Sequence, residues 1–181
     1  MFLVGFMGAG KTSVGQALAA GLRWLFEDLD DRIERREART VPEIFRNSGE
    51  PQFRQAERDA LREVLSELRS AAGNRIVALG GGAFVQPAIA ALLHEAGFPT
   101  IFLDAPVEEL WHRCQKQARM QSTERPLLSS PESFAELCQA RREQYLRATL
   151  RIDTGGRSVE ALAGEIARSL ALEKKGKGKN V

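Results

Sequence analysis

The sequence predicts a three-layer α/β domain built on a parallel sheet, and three observations carry that expectation. Five short strand-like runs, at 2–4, 24–26, 75–79, 100–103 and 150–152, are separated by helical patterns, the alternation that produces parallel sheets through right-handed crossovers. The first run, Phe2-Leu-Val4, is continuously apolar, as a strand covered on both faces must be. It opens directly into Gly-Phe-Met-Gly-Ala-Gly-Lys-Thr (5–12), the Gly-x-x-x-x-Gly-Lys-Thr phosphate-binding pattern in its required place between a strand and a helix.

The motif has a physical purpose. Gly5, Gly8 and Gly10 allow the tight turn that aims backbone N–H groups at a polyphosphate. Gly8, Ala9, Gly10, Lys11, Thr12 and Ser13 are the expected nucleotide contacts. Lys11 adds a point charge for the β- and γ-phosphates, the Thr12 hydroxyl suits Mg²⁺, and a helix starting at Lys11 adds its positive dipole end.

With 181 residues, 43% hydrophobic and 28% charged, the chain reads as one ordinary globular domain with a full core. Residues 173–181 hold four Lys and one Glu and contribute +3 to a net charge of +2, which leaves −1 for the remainder. The basicity belongs to a solubilising tail, expected to be disordered, and no nucleic-acid partner is implied. Cys114 and Cys138 match no metal or redox spacing and read as packing thiols of a reduced compartment. No stretch is long enough to span a membrane, and the first residues lack a basic leader. A cytoplasmic monomer is expected.

After the loop, Val14, Leu18 and Leu22 recur at helical spacing, with Gly21 expected near the helix end. The second strand ends in Glu27-Asp-Leu-Asp-Asp31. Asp28 and Asp30 alternate on extended backbone and can share one face at a strand's C-terminal end, where α/β sheets build sites. Asp30 or Asp31 could equally cap the helix that follows. Thr40 and Glu43 have capping-box spacing for a helix from Val41, which Ser48-Gly-Glu50 should break. A longer helix from about 51 to 69 carries the apolar stripe Phe53, Ala56, Ala60, Leu61, Val64, Leu65 and Leu68. Arg54 lies beside that stripe, and its bland reading is a surface ion pair with Glu57 or a neighbour.

Gly80-Gly-Gly82 follows the third strand, either to let a ligand approach closely or as a plain turn. Helices are expected at about 87–95 and 107–117. The polar segment 116–128, closed by Arg125-Pro-Leu-Leu128, reads as a lid over a nucleotide or as a surface loop. In the helix at 131–148, Arg141 shares a face with Phe134, Leu137, Cys138 and Tyr145, whereas Arg142 points away. A charge on that stripe needs a partner, a ligand or a snorkelling route to solvent. Ser158 is placed to cap the last helix.

Taken together, the phosphate loop, Asp28-Leu-Asp30, Phe53-Arg-Gln-Ala-Glu57, Gly80-Gly-Gly82, Arg125-Pro-Leu-Leu128, Arg141-x-x-x-Tyr145 and Asp153-Thr154 resemble the shikimate kinase family from Met1 to about Leu172. The resemblance implies the P-loop, nucleoside-monophosphate-kinase-like fold with strand order 2-3-1-4-5. It also implies a substrate-binding segment at about 31–60 and transfer of the γ-phosphoryl of ATP to the 3-hydroxyl of shikimate. Residue by residue, it assigns Lys11, Asp30 and Arg125 to catalysis and Thr12 and Asp28 to Mg²⁺. Asp30, Arg54, Gly81, Gly82 and Arg141 fall to the acid, and Arg125 and Arg157 to the nucleotide. Asp30 need not have an unusual pKa if its proton transfer comes late. Departures are the Thr12-Ser13 order, a longer lid that leaves Lys116 and Arg119 as alternative nucleotide contacts, and the Lys-rich tail. The rival readings are a gluconate-type sugar-acid kinase and a non-catalytic nucleotide-binding module.

Overall fold

A computed structural model of the chain describes residues 1–70, 73–121 and 130–172. Strands β1 (Phe2–Val4), β2 (Leu25–Asp28), β3 (Arg75–Ala78), β4 (Thr100–Asp104) and β5 (Leu150–Asp153) alternate with helices. The helices are α1 (Lys11–Leu22), α2 (Leu29–Glu37), α3 (Val41–Ser70), α4 (Pro87–Ala96), α5 (Val107–Gln121), α6 (Pro131–Tyr145) and α7 (Val159–Ser169). Every strand pair is parallel, and the sheet order is 2-3-1-4-5. Central β1 is paired on both sides, with Phe2 opposite Val77 and Thr100, and it is buried throughout. That position explains its unbroken apolar sequence.

The order places the C-terminal ends of β2, β3 and β1 side by side. The Asp28–Asp30 segment, the triple glycine and the phosphate loop therefore share one rim of the sheet. Helix α1 covers this region through Gly15, where a Cβ would lie 2.4 Å from the Phe26 ring and 3.1 Å from Leu3. Across α1 lies α7, whose N-cap is Ser158, as expected, accepting from the Ala161 N–H.

Several boundaries differ from the sequence reading. Strand β2 begins at Leu25 and carries Glu27 and Asp28 into register with Val77 and Ala78. Pairing with β3 outweighs their polarity there, and Glu27 is accommodated by Arg32 and Arg75, each at 2.7 Å. Helix α1 ends at Leu22 with Arg23 as its left-handed cap (φ 57°), so Gly21 does lie near the helix end, as expected. The cap of α2 is Asp28, whose Oδ1 accepts from the Asp30 N–H at 3.1 Å; neither Asp30 nor Asp31 takes that part.

In α3 the expected break falls at Gly49 (φ 77°, ψ 172°), a conformation that glycine adopts without Cβ strain. The Thr40–Glu43 capping box forms at the start of α3, with the Thr40 N–H donating to Glu43 at 2.8 Å. Helix α5 continues to Gln121, so 116–121 are helical rather than loop. The rest of the expected lid, 122–128 with Arg125, and the tail 173–181 lie outside the described residues. In α6, Arg142 does leave the apolar face, and its guanidinium meets Asp104 at 2.8 Å. Cys114 and Cys138 are both buried and not joined in a disulfide, and no helix among the described residues is long and apolar enough to cross a membrane.

Candidate active site

The phosphate loop turns through Gly8 (φ 78°) and Gly10 (φ 85°), left-handed positions that account for the glycine spacing. Gly10 is the N-cap of α1, so the helix begins at Lys11. Its Nζ folds back onto the carbonyls of Gly5 (2.9 Å) and Phe6 (3.0 Å). Burial lowers the Lys11 pKa, opposed by the nearby charges of Asp30 and Asp28. Ser13 and Thr12 lie on the exposed first turn of α1.

Thr12 Oγ1 donates to Asp28 Oδ2 at 3.0 Å, while the other Asp28 oxygen caps α2. A hydroxyl and a carboxylate oxygen thus converge at the start of α1. This is a hard-oxygen pair of the kind that holds Mg²⁺ together with waters and phosphate oxygens. The donor chemistry fits the ion that the resemblance implies. Burial raises the Asp28 pKa, against the lowering effect of its two hydrogen bonds.

Asp30 follows in the first turn of α2. Burial, and then the charges of Asp28 and Glu57, push its pKa up to about 7. The sequence expectation did not require such a value. Across from it, Glu57 is fully buried in α3. Its Oε2 accepts from Arg54 Nη1 at 2.9 Å and from Gln86 Nε2 at 2.6 Å. Among the described residues, the buried side-chain oxygens without a hydrogen-bond partner are Asp30 Oδ1 and Glu57 Oε1. A Cβ on Gly80 would lie 2.9 Å from the first and 3.2 Å from the second, so the two orphaned acceptors flank one glycine. Two such groups at one place mark a site for a ligand rich in hydrogen-bond donors.

Two arginines border this acidic pair. Arg54 is anchored by Glu57 and by Glu50 (2.9 Å) and lies over the Phe53 ring at 5.2 Å. Gly82 lets it approach, because a Cβ there would stand 2.8 Å from Arg54 Nη2. Arg141 reaches the Gly81 carbonyl at 3.4 Å and lies over the Phe6 ring at 5.5 Å. The bland alternatives are therefore only half right. Arg54 does form ion pairs, but it forms them within the cluster, and Arg141 is half-buried against polar and aromatic partners.

The structure thus gathers Lys11, Asp28, Asp30, Arg54, Gly81, Gly82 and Arg141 along one rim. Arg157 is not in the group; it donates to the Asp153 carbonyl at 3.0 Å and pairs with Glu165. Lys116 and Arg119 are exposed on α5. Gln86 and Arg113 had no assigned role from sequence, whereas Glu57 entered only as an ion-pair partner of Arg54 and Tyr145 only as part of an apolar face. Arg113 reaches the Gly8 carbonyl at 3.4 Å and pairs with Glu109, whose other oxygen accepts from the Gly156 N–H. Glu57 left a readable signal, one helical turn from Arg54 on the same face. Arg113 left none, since its target is 105 residues away.

Comparison with known proteins identifies the family. The sequence profile of shikimate kinase matches residues 7–171. A shikimate kinase of Geobacter sulfurreducens is 42% identical over 168 residues, covering 91% of this chain and 87% of the relative. One from Cereibacter sphaeroides is 38% identical, covering 93% and 81%. Among solved structures, shikimate kinase from Acinetobacter baumannii in complex with shikimate superposes with a TM-score of 0.82 at 32% identity, covering 96% of this chain and 93% of that one. A sugar kinase from Janibacter, at 18% identity and a TM-score of 0.63, shares the fold alone. With its parallel 2-3-1-4-5 sheet and a profile match over most of its length, the chain belongs to the shikimate kinase family.

Proposed function

We propose that this chain transfers the γ-phosphoryl of ATP to the 3-hydroxyl of shikimate, giving shikimate 3-phosphate and ADP. The observation that carries the reading is the convergence of Lys11, the orphaned Asp30 and Glu57 oxygens and the two arginines around Gly80–Gly82. Shikimate is a small carboxylate dense in hydroxyls, and the cluster offers a match for each part. Forked guanidinium donors of Arg54 and Arg141 suit a planar carboxylate, and the Asp30 and Glu57 oxygens suit hydroxyl donors.

Phosphoryl transfer asks for alignment and charge neutralisation more than covalent chemistry. Lys11 leaves the Gly5 and Phe6 carbonyls to meet the β- and γ-phosphates, which the loop N–H groups cradle. Asp30 orients the 3-hydroxyl and takes its proton; with a pKa raised to about 7 it is a competent acceptor near neutral pH. Mg²⁺, when held by Thr12 and Asp28, supplies charge neutralisation at the phosphates. Arg125 from the segment 116–128 completes the charge on the phosphoryl group, and Arg157 lies toward the base. A lid at 116–128, a substrate segment at 31–60, a cytoplasmic location, a monomeric state, and the absence of nucleic-acid or membrane partners belong to the same reading.

An ADP-release assay with Mg-ATP and a panel of shikimate, quinate and gluconate tests it. Shikimate-dependent turnover that falls by about 30-fold or more in kcat/KM for Arg54→Ala and for Arg141→Ala is expected, the loss of a charge-assisted bidentate contact being worth about 2–4 kcal/mol. Turnover restricted to gluconate would move the chain to the sugar-acid kinases. ATP binding without turnover of any acid would leave a nucleotide-binding module.

A further inference from the structure

We propose that Tyr145 is a positioning residue of the acid clamp: its hydroxyl holds the Gly81 carbonyl in the place from which that carbonyl and the Phe6 ring together fix Arg141. The proposal rests on the reading of Arg141 as a carboxylate ligand.

Tyr145 and Arg141 are one helical turn apart in α6 and share a face. The Tyr145 ring is 1% exposed and stacks on Phe102 with centroids 5.2 Å apart. A buried phenol has one proton to give and needs an acceptor. Many backbone carbonyls would satisfy packing alone, yet Tyr145 donates to that of Gly81, the same oxygen that Arg141 reaches. The Arg141 contact is long, at 3.4 Å, and leaves the carbonyl in need of a second donor, which the phenol supplies. Burial keeps the phenol pKa far above its ordinary value, against the nearby Arg141 charge, so the donor stays protonated at working pH.

Gly81 in turn is wedged against the phosphate loop. A Cβ there would lie 3.3 Å from the Met7 nitrogen. Phe6 connects the two halves of the site: its ring carries Arg141 at 5.5 Å, and its carbonyl receives Lys11 Nζ at 3.0 Å. Without the Tyr145 hydroxyl, the Gly81 carbonyl keeps, among the described residues, the guanidinium as its partner and draws Arg141 away from the substrate. The fault then appears in binding of the acid, not in binding of ATP.

Tyr145→Phe in the full chain tests this on whichever acid of the panel the wild-type chain phosphorylates, so failure of the shikimate assignment is seen separately. KM for the acid is expected to rise about 5- to 20-fold, the range of one lost buried hydrogen bond, while kcat and KM for ATP change less than about twofold. In an Arg141→Ala background the same substitution should change kcat/KM for the acid by less than about twofold, because its target is already gone. Phe102→Leu loosens the ring packing and keeps the hydroxyl; it should lower Tm without the acid-specific rise. An unchanged KM for the acid in Tyr145→Phe overturns the proposal. So does an equal penalty with and without Arg141, or an acid-specific rise in Phe102→Leu.

Discussion

At the scale of single residues, the site is governed by a carboxyl group that the fold makes costly to ionise. The folded-state pKa of Asp30 is about 7, above the ordinary 3.8. Its contribution to stability is therefore full below pH 3.8 and is lost as pH rises through 7. Asp30→Asn should raise Tm relative to the wild-type chain at pH 8 and show no such gain at pH 3.5. The gain is on the order of 1–3 kcal/mol, reduced because Lys11 loses a neighbouring charge. The same substitution should remove most of kcat while ATP still binds. In the wild-type chain kcat/KM for shikimate should climb with pH along a limb near 7, as the proton acceptor ionises in the free enzyme.

These residues differed in how much the sequence disclosed. Lys11, Thr12, Asp28 and Asp30 were legible because each sits at fixed spacing from a strand end. Arg141 was legible as an anomaly on an apolar face. The raised pKa of Asp30 was not, since it comes first from burial in the fold, and then from the charges of Asp28 and of Glu57, which a helix brings from 27 positions away in the chain. Nor was the direction of Arg157, which faces Glu165.

Among elements, α3 shows how a local irregularity serves the site. Gly49 breaks the helix, and the residues after it restart at an angle that presents Glu50, Arg54 and Glu57 together. Gly49→Ala forces a side chain into a left-handed conformation and should cost about 1–2 kcal/mol. We expect a lower Tm and a higher KM for shikimate, measured side by side with an unchanged KM for ATP. The capping-box and Gly49 signals made this break readable from sequence.

The edge of the sheet was less readable. There Glu27 and Glu67 share Arg32 and Arg75, an ion-pair network assembled from four elements. Hydrogen bonds from Arg32 and Arg75 hold the Glu67 pKa down at about 2. Its contribution is present above pH 4.5 and fades as pH falls toward 2. Glu67 is 42% exposed, so solvent screening leaves about 0.5–1 kcal/mol. Glu67→Gln should lower Tm by about 1–4 °C at pH 7 and low salt, with the difference vanishing near pH 2.

On the scale of the whole molecule, the fold class followed from alternation and from the phosphate loop, but alternation alone permits several strand orders. The order 2-3-1-4-5 came from the family resemblance, and pairing across the sheet explains it physically. Only with β3 between β2 and β1 does the triple glycine stand between the aspartates and the phosphate loop. The two substrates would then meet over one sheet edge, one on each side of Gly80–Gly82.

The two unpartnered oxygens beside Gly80 have a consequence for inhibitor design. Among the described residues Asp30 Oδ1 and Glu57 Oε1 have no donor, so a compound gains most there by contributing protons. A cyclohexene acid with an amino group replacing the hydroxyl that faces these oxygens should bind more tightly than the parent. Its methyl ether, which offers only an acceptor and extra bulk, should scarcely bind. The pair of oxygens thus works as a template for cationic, donor-bearing mimics rather than for greasy ones.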